Sequence, residues 1–280
     1  MTGPRVIHVA HSPDSDDAFM FYALATGRVD TEGLQYVHEL QDIETLNQRA
    51  RRGELEVTAV SIHAYAHLTD RYALLPHGAS MGDRYGPRLV ARAAVSVDQL
   101  AGKRIAIPGL LTSAYMALRL RLPGFVPVVT PFDEIERAVL SGTVDAGLII
   151  HEGQLTYADS GLHLVLDLGE WWFGETGLPL PLGGNVIRKD LGAPLIAMIS
   201  RHLRASIAHG LEHRAEALDH AMQYARGLER HRADTFVGMY VNDWTLDYGE
   251  RGRAAIRTFL ARGAAAGVIP RTVEVEFAAD

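Results

Sequence analysis

His151 and Glu152 end an apolar run, Ala146-Gly-Leu-Ile-Ile150, and Gly153 follows them. A short run of this kind reads as a buried strand that delivers its last side chains to a surface, and strand ends are where ligands bind in open α/β folds. An imidazole there is suited to accepting a proton, because its ordinary pKa of about 6.5 lies near working pH. The competing role is a strand-end histidine that only caps a loop. Glu152 is placed either to orient the ring or to face solvent.

Other residue groups offer different chemistry. Asp14, Asp16 and Asp17 crowd the loop after the β-rich run Arg5 to Ala10. A magnesium-dependent phosphatase needs its nucleophilic Asp directly at the strand end, with a second Asp two residues on. Here Ser12 and Pro13 intervene, so N-capping of the next helix by Asp16 or Asp17 is the favoured role, worth about 1 kcal/mol. His63 and His67 stand at i, i+4 and could share a metal, but no Glu adjoins the first His and no third ligand is apparent. They are expected to be packed or solvated, and no metal site is expected. Pro108-Gly109 precedes Thr112 and Ser113, two hydroxyls at a helix start whose first N–H groups can receive a carboxylate or oxyanion. Ser61 stands at the same kind of junction, after Glu56-Val-Thr-Ala-Val60 and before a helix over Ile62 to Leu68 that it is expected to cap.

These groups must be positioned by alternating strands and helices. Strands are predicted at Arg5–Ala10, Leu34–Leu40, Glu56–Ser61, Arg88–Val95, around Ile105, at Phe125–Thr130, before His151 and at Leu164–Leu168. Helices are predicted after Ala18, over Ile43–Ala50, after Thr112 and over Phe132–Leu140. Trp171 to Leu182, rich in glycine and proline, reads as an aromatic loop forming a wall or hinge over a pocket. Asn185–Lys189 reads as a strand, helices dominate afterwards, and Val273–Phe277 reads as a last strand.

Composition narrows the class. The 280 residues are 48% hydrophobic and 22% charged, ordinary for a soluble protein with a full core. A net charge of −7, from 27 basic and 34 acidic residues, argues against nucleic acid or an anionic membrane as partner. With no cysteine there is no disulfide framework and no thiolate nucleophile. The first residues lack a secretory pattern, and no stretch reaches about 18 consecutive apolar residues. A cytoplasmic protein acting on a small molecule is expected.

Alternation up to about Lys189 implies largely parallel α/β sheets. Bringing the loops near Ser61, Thr112 and His151 to one place calls for a two-lobed fold with ligand between the lobes. The expected division is residues 1–91 plus 186–280 for the large lobe and 92–185 for the small one. This is the type II periplasmic-binding-protein architecture. A non-catalytic binding protein for a small anion shares it, but normally carries an export signal and needs no strand-end His.

Five motifs, in order, sharpen the reading. They are His-Ser-Pro-Asp-Ser-Asp-Asp-Ala-Phe-Met-Phe-Tyr-Ala-Leu (11–24), Val-Thr-Ala-Val-Ser-Ile-His-Ala-Tyr (57–65), Pro-Gly-Leu-Leu-Thr-Ser-Ala-Tyr (108–115), Asp-Ala-Gly-Leu-Ile-Ile-His-Glu (145–152) and Thr-Gly-Leu-Pro-Leu-Pro-Leu-Gly (176–183). Together they closely resemble the 1,4-dihydroxy-6-naphthoate synthase family of the futalosine route to menaquinone, across nearly the whole chain. The resemblance implies a cofactor-free lyase that converts cyclic dehypoxanthine futalosine to 1,4-dihydroxy-6-naphthoate and dihydroxyacetone. It implies His151 as proton acceptor, and substrate contacts at Ala59, Val60 and Ser61 and at Thr112, Ser113 and Ala114.

Overall fold

Two sheets carry the chain in the computed structural model, which describes residues 5–225 and 227–278. The first sheet opens with β1 (Arg5–His11), β2 (Leu34–Leu40), β3 (Val57–Ser61), β4 (Tyr72–Leu74) and β5 (Ser80–Gly82). The second is built from β6 (Arg88–Ala91), β7 (Arg104–Ile107), β8 (Val126–Val129), β9 (Ala146–Ile149) and β10 (His163–Asp167). The chain then returns to the first sheet as β11 (Leu180–Arg188). We call each sheet with its flanking helices a lobe.

Strand order in the first sheet is β2-β1-β3-β11-β4, with β5 paired to β11. β1 runs parallel to β2 and β3, while β11 is antiparallel to β3, β4 and β5. In the second sheet the order is β10-β6-β9-β7-β8. Both β3 and β9 are buried along their whole length, as continuous apolar runs covered on both faces should be. Their carboxyl ends therefore become the floor of whatever lies between the lobes.

The chain changes sheets at 83–87 and again before Leu180. Residues 88–91, placed in the large lobe by the expected division, pair with β9 and β10 in the second sheet. Leu180 to Asn185 pair in the first, through the register Ser61↔Gly183, Val60↔Gly184 and Ala59↔Asn185. The C-terminal helices complete the first lobe. Ile199, Leu203 and Ile207 of the helix Ala193–Glu212 pack on Ile7 and Val9 of β1. A larger apolar cluster joins the lobes: Val60 and Leu74 of one sheet share it with Leu89, Ile105 and Leu148 of the other.

Several local expectations need correction. The expected loop from Trp171 holds a helix, Leu168–Thr176, before β11 begins. Asp167 caps it, accepting from the N–H groups of Gly169 (2.9 Å) and Glu170 (3.1 Å), and Gly177 ends it in the left-handed region at φ 69°. The breakers that suggested a loop thus lie at or beyond the helix end, except Gly174. Val273–Phe277 forms no strand; its sheet contact is a single bridge between Leu74 and Phe277. The helix after Ser61 is one turn, Ile62–Tyr65, and the Ser61 side chain does not cap it. Asp16 and Asp17 do not cap either: the first helix is Ser15–Met20 with Asp14 at its N-cap, and both acids sit in its first turn.

Candidate active site

The carboxyl end of β3, the start of the helix Ser113–Arg121, the middle of β11 and the loop after β1 line one cleft between the lobes, with about 760 Å³ of empty space, part of it open to solvent. Ala59, Val60, Ser61, Thr112, Ser113 and Ala114 all line it. Ile150 carries the end of β9 into the wall.

On the first lobe, Ser61 is held by a side chain that sequence reading missed. Its N–H donates to Asn47 Oδ1 (2.9 Å), and Asn47 Nδ2 donates back to Ser61 Oγ (3.1 Å). A hydroxyl that accepts there keeps its own proton to donate. On the second lobe, Thr112 rather than Ser113 caps the helix. Its Oγ1 accepts from the N–H of Tyr115 (3.2 Å) and donates to the carbonyl of Gly109 (2.9 Å). Ser113 Oγ accepts from the His63 N–H (3.1 Å) and donates to the Leu182 carbonyl (2.6 Å), both on the opposite lobe. Both hydroxyls are therefore committed within the protein. What the helix start offers a ligand is the N–H groups of Ser113 and Ala114, which have no acceptor within the helix.

The lobes are hooked together around the cleft. Glu44, in the helix Ile43–Arg52, accepts from the N–H of Leu111 at 3.2 Å, and burial pushes its carboxyl pKa up. A Cβ at Gly109 would fall 2.3 Å from that carboxylate, so the glycine is what permits the approach. Tyr240, at the end of the helix Arg230–Tyr240, donates to Gln154 Oε1 at 2.8 Å. Ser15 Oγ donates to Glu152 Oε1 at 3.1 Å. Glu152 is buried and does not face solvent, and its hydrogen bond to Ser15 crosses to the other lobe. Ser113→Ala removes a hook and leaves the buried His63 N–H without its acceptor, a loss of about 1–3 kcal/mol. KM measured by initial rates should rise roughly tenfold. An unchanged KM would show that the bridge plays no part in holding the lobes for substrate.

His151 is half-buried, with its ring against its own lobe rather than among the groups lining the cleft. The Gly153 N–H donates to Nδ1 at 3.1 Å, so the ring proton belongs on Nε2, 3.1 Å from the Phe132 carbonyl. Phe132 also packs edge-on to the ring, 5.0 Å between centroids. Gly153 admits no side chain here, since a Cβ would lie 2.5 Å from Glu136 Oε1 and 3.1 Å from His151 Cε1. The structure thus brings the six other expected residues together and sets His151 one residue beyond the wall.

Acids mark the first-lobe side of the cleft. Asp14, Asp16 and Asp17 line it, and none of the described residues lining it is Lys, Arg or His. Ser12 ties two of them, its N–H donating to Asp17 Oδ2 (2.7 Å) and its hydroxyl to Asp14 Oδ2 (2.9 Å). Burial raises Asp17 to about 7. Asp16 is held well above the carboxylate range, by burial first and then by the charges of Asp17, Asp14 and Glu152. Perturbed acids in a cleft mark a functional site. Among the described residues, no group of three or more His, Asp or Glu is arranged to hold a metal. His63 Nδ1 instead lies 3.2 Å from the Thr112 carbonyl, and the His67 ring is 5.9 Å away.

Comparison with known proteins bears on the fold and the family. Alkanesulfonate-binding protein SsuA of Xanthomonas axonopodis, solved with MOPS bound, superposes with a TM-score of 0.71 at 15% identity, covering 98% of both chains. At that identity the likeness concerns fold alone, and the fold is two-lobed and periplasmic-binding-protein-like. A crystal structure of an Archaeoglobus fulgidus protein superposes with a TM-score of 0.91 at 52% identity, covering 94% of this chain and 98% of that one. Two proteins named 1,4-dihydroxy-6-naphthoate synthase are similar throughout. The one from Thermus thermophilus is 43% identical over 94% of this chain and 96% of its own length. The one from Streptomyces coelicolor is 40% identical over 94% and 95%. The profile of the menaquinone biosynthesis family matches residues 7–265, and with it the cleft just described, so this chain belongs to the menaquinone biosynthesis family.

Proposed function

We propose that the chain is the carbon–carbon lyase that converts cyclic dehypoxanthine futalosine to 1,4-dihydroxy-6-naphthoate and dihydroxyacetone, with His151 as proton acceptor. The observation that carries this reading is the meeting of the β3 end and the Thr112–Ala114 helix start in one cleft beside the His151 strand end, in a chain 43% identical to a protein named for that synthesis.

The chemistry needs a base and a place for negative charge. Removing a proton and breaking a carbon–carbon bond builds charge on oxygen, and aromatisation of the product draws the reaction forward. Backbone N–H groups of Ser113 and Ala114 supply the anion site, either for the substrate carboxylate or for the developing oxyanion. With no cationic side chain among the described lining residues, oriented N–H dipoles carry that task. The acidic wall of the first lobe suits the other end of the substrate, whose hydroxyls can donate to carboxylates. For His151 to act, Nδ1 must exchange the Gly153 N–H for the substrate's proton, which asks for a turn of the ring on a backbone held in place. No helix of the described residues is long and apolar enough to cross a membrane, and the activity proposed needs none.

The test is a mass balance. Incubation with cyclic dehypoxanthine futalosine should release dihydroxyacetone in equimolar amount to substrate lost, and loss of substrate without a three-carbon product would refute the assignment.

A further inference from the structure

The turn that carries His151 is pinned to the opposite lobe on both sides. Glu152 Oε1 accepts from Ser15 Oγ at 3.1 Å and, at a longer 3.4 Å, from the Ser15 N–H. Gln154 Oε1 accepts from Tyr240 Oη at 2.8 Å. Ser15 and Glu152 stand 137 positions apart in the chain and are 0% and 6% exposed, so little water competes for the bond. His151 itself bonds only inside its own lobe among the described contacts, through Phe132 and Gly153. Movement of the lobes therefore reaches the imidazole through its neighbours on the turn.

We infer that Glu152 is a positioning residue: its hydrogen bond to Ser15 couples closure of the lobes to the placement of the His151 ring. The inference rests on the reading of His151 as proton acceptor and gives that reading a trigger. In the closed arrangement the bond holds the 151–153 turn against the first lobe, beside the wall that Ile150 enters. When the lobes part, the Ser15 bond is lost and the turn is no longer held by it. A base that must lie within hydrogen-bond reach of its proton is sensitive to such shifts, since a misplacement of about 1 Å can cost roughly 10²-fold. The carboxylate also faces Asp16, whose ionisation it disfavours. Its charge and its contact are thus separate contributions that the test must divide.

Glu152→Gln keeps an acceptor oxygen and removes the charge. Glu152→Ala removes both, and Ser15→Ala deletes the donor from the far lobe. With cyclic dehypoxanthine futalosine as substrate, both alanine variants should lower kcat roughly 10- to 100-fold while KM stays within about threefold. The double variant should be no worse than the poorer single, and Glu152→Gln should recover most of the rate. In parallel, ¹⁵N imidazole spectra of the ligand-free proteins, with the His151 signals identified by their loss in His151→Asn, should show those signals displaced alike in both alanine variants. Losses that multiply in the double variant, a Gln variant as poor as Ala, or His151 signals at wild-type positions would each overturn the inference. If the unmutated chain does not turn over the compound, the proposed activity fails. The ring signals then still decide whether the Ser15–Glu152 contact places His151. Ser15→Ala deletes only a hydroxyl, so a Glu152→Ala protein that fails to fold leaves the test intact.

Discussion

Replacing His151 by alanine is expected to lower kcat by roughly 10²- to 10⁴-fold in a protein that still folds, the usual contribution of a positioned general base. The fold should survive because the ring is half-buried and its two partners are backbone groups, the Phe132 carbonyl and the Gly153 N–H, at a turn that water can reach. Asparagine at the same place can occupy both partners without accepting a proton, and should be as inactive as alanine. Circular dichroism and a thermal melt check the fold, and initial rates check the turnover. Near-normal kcat in a folded alanine variant would move the base to the acidic wall, where Asp17, raised to about 7 by burial, is the next group with a suitable pKa.

Acid should destabilise the protein well above the pH at which ordinary carboxylates titrate. His11 is pushed down to about 3, by burial and the neighbouring His38; His63 and His77 are pushed to about 4, chiefly by burial. All three are buried, with His11 stacked on Phe21 and His77 bonded to Ser200. A histidine whose folded pKa is depressed binds fewer protons folded than unfolded, so its contribution is lost as pH falls below about 6.5. Between pH 7 and 4.5 that is on the order of 2 kcal/mol per ring. Asp16 and Asp17 work in the opposite sense, because their raised pKa values make the folded state bind protons more readily over the same window, and they return part of that loss. Depressed rings outnumber raised acids here, His38 being pushed down to about 4 as well, so the net is a loss of a few kcal/mol against a typical stability of about 5–15 kcal/mol. The melting temperature should fall on the order of 10 °C from pH 7 to pH 4.5. Equal values at the two pH settings would mean that these rings are protonated in the folded state.

Where local chemistry decides structure, the sequence was legible. Thr112 is followed three residues on by the N–H it caps, and Ala146 to Ile149 form a buried strand with a polar end. Ser61 and Thr112–Ser113 were recognisable as strand-end and helix-start positions, and they do meet in one cleft. Trp171–Thr176 was misread because Gly174, Gly177, Pro179 and Pro181 suggested a loop. Their placement at a helix end is visible only once Trp172 is seen fully buried, with Nε1 bonded to the Pro179 carbonyl. Val273–Phe277 has the residues of a strand but no neighbour along most of its length. The largest gap is in long-range hydrogen bonds. Nothing near Glu152 signals Ser15, nothing near Glu44 signals Leu111, and nothing near Asn47 signals Ser61. Such pairs depend on how two lobes are set together, which local periodicity does not record.

The most direct measurement is mass detection of 1,4-dihydroxy-6-naphthoate after incubating cyclic dehypoxanthine futalosine with the purified protein and, alongside, with its His151→Ala variant. The account predicts the naphthoate with the unmutated chain and a rate lower by at least about 10²-fold with the variant. No naphthoate from a folded, substrate-binding protein, or equal amounts from both, would contradict it.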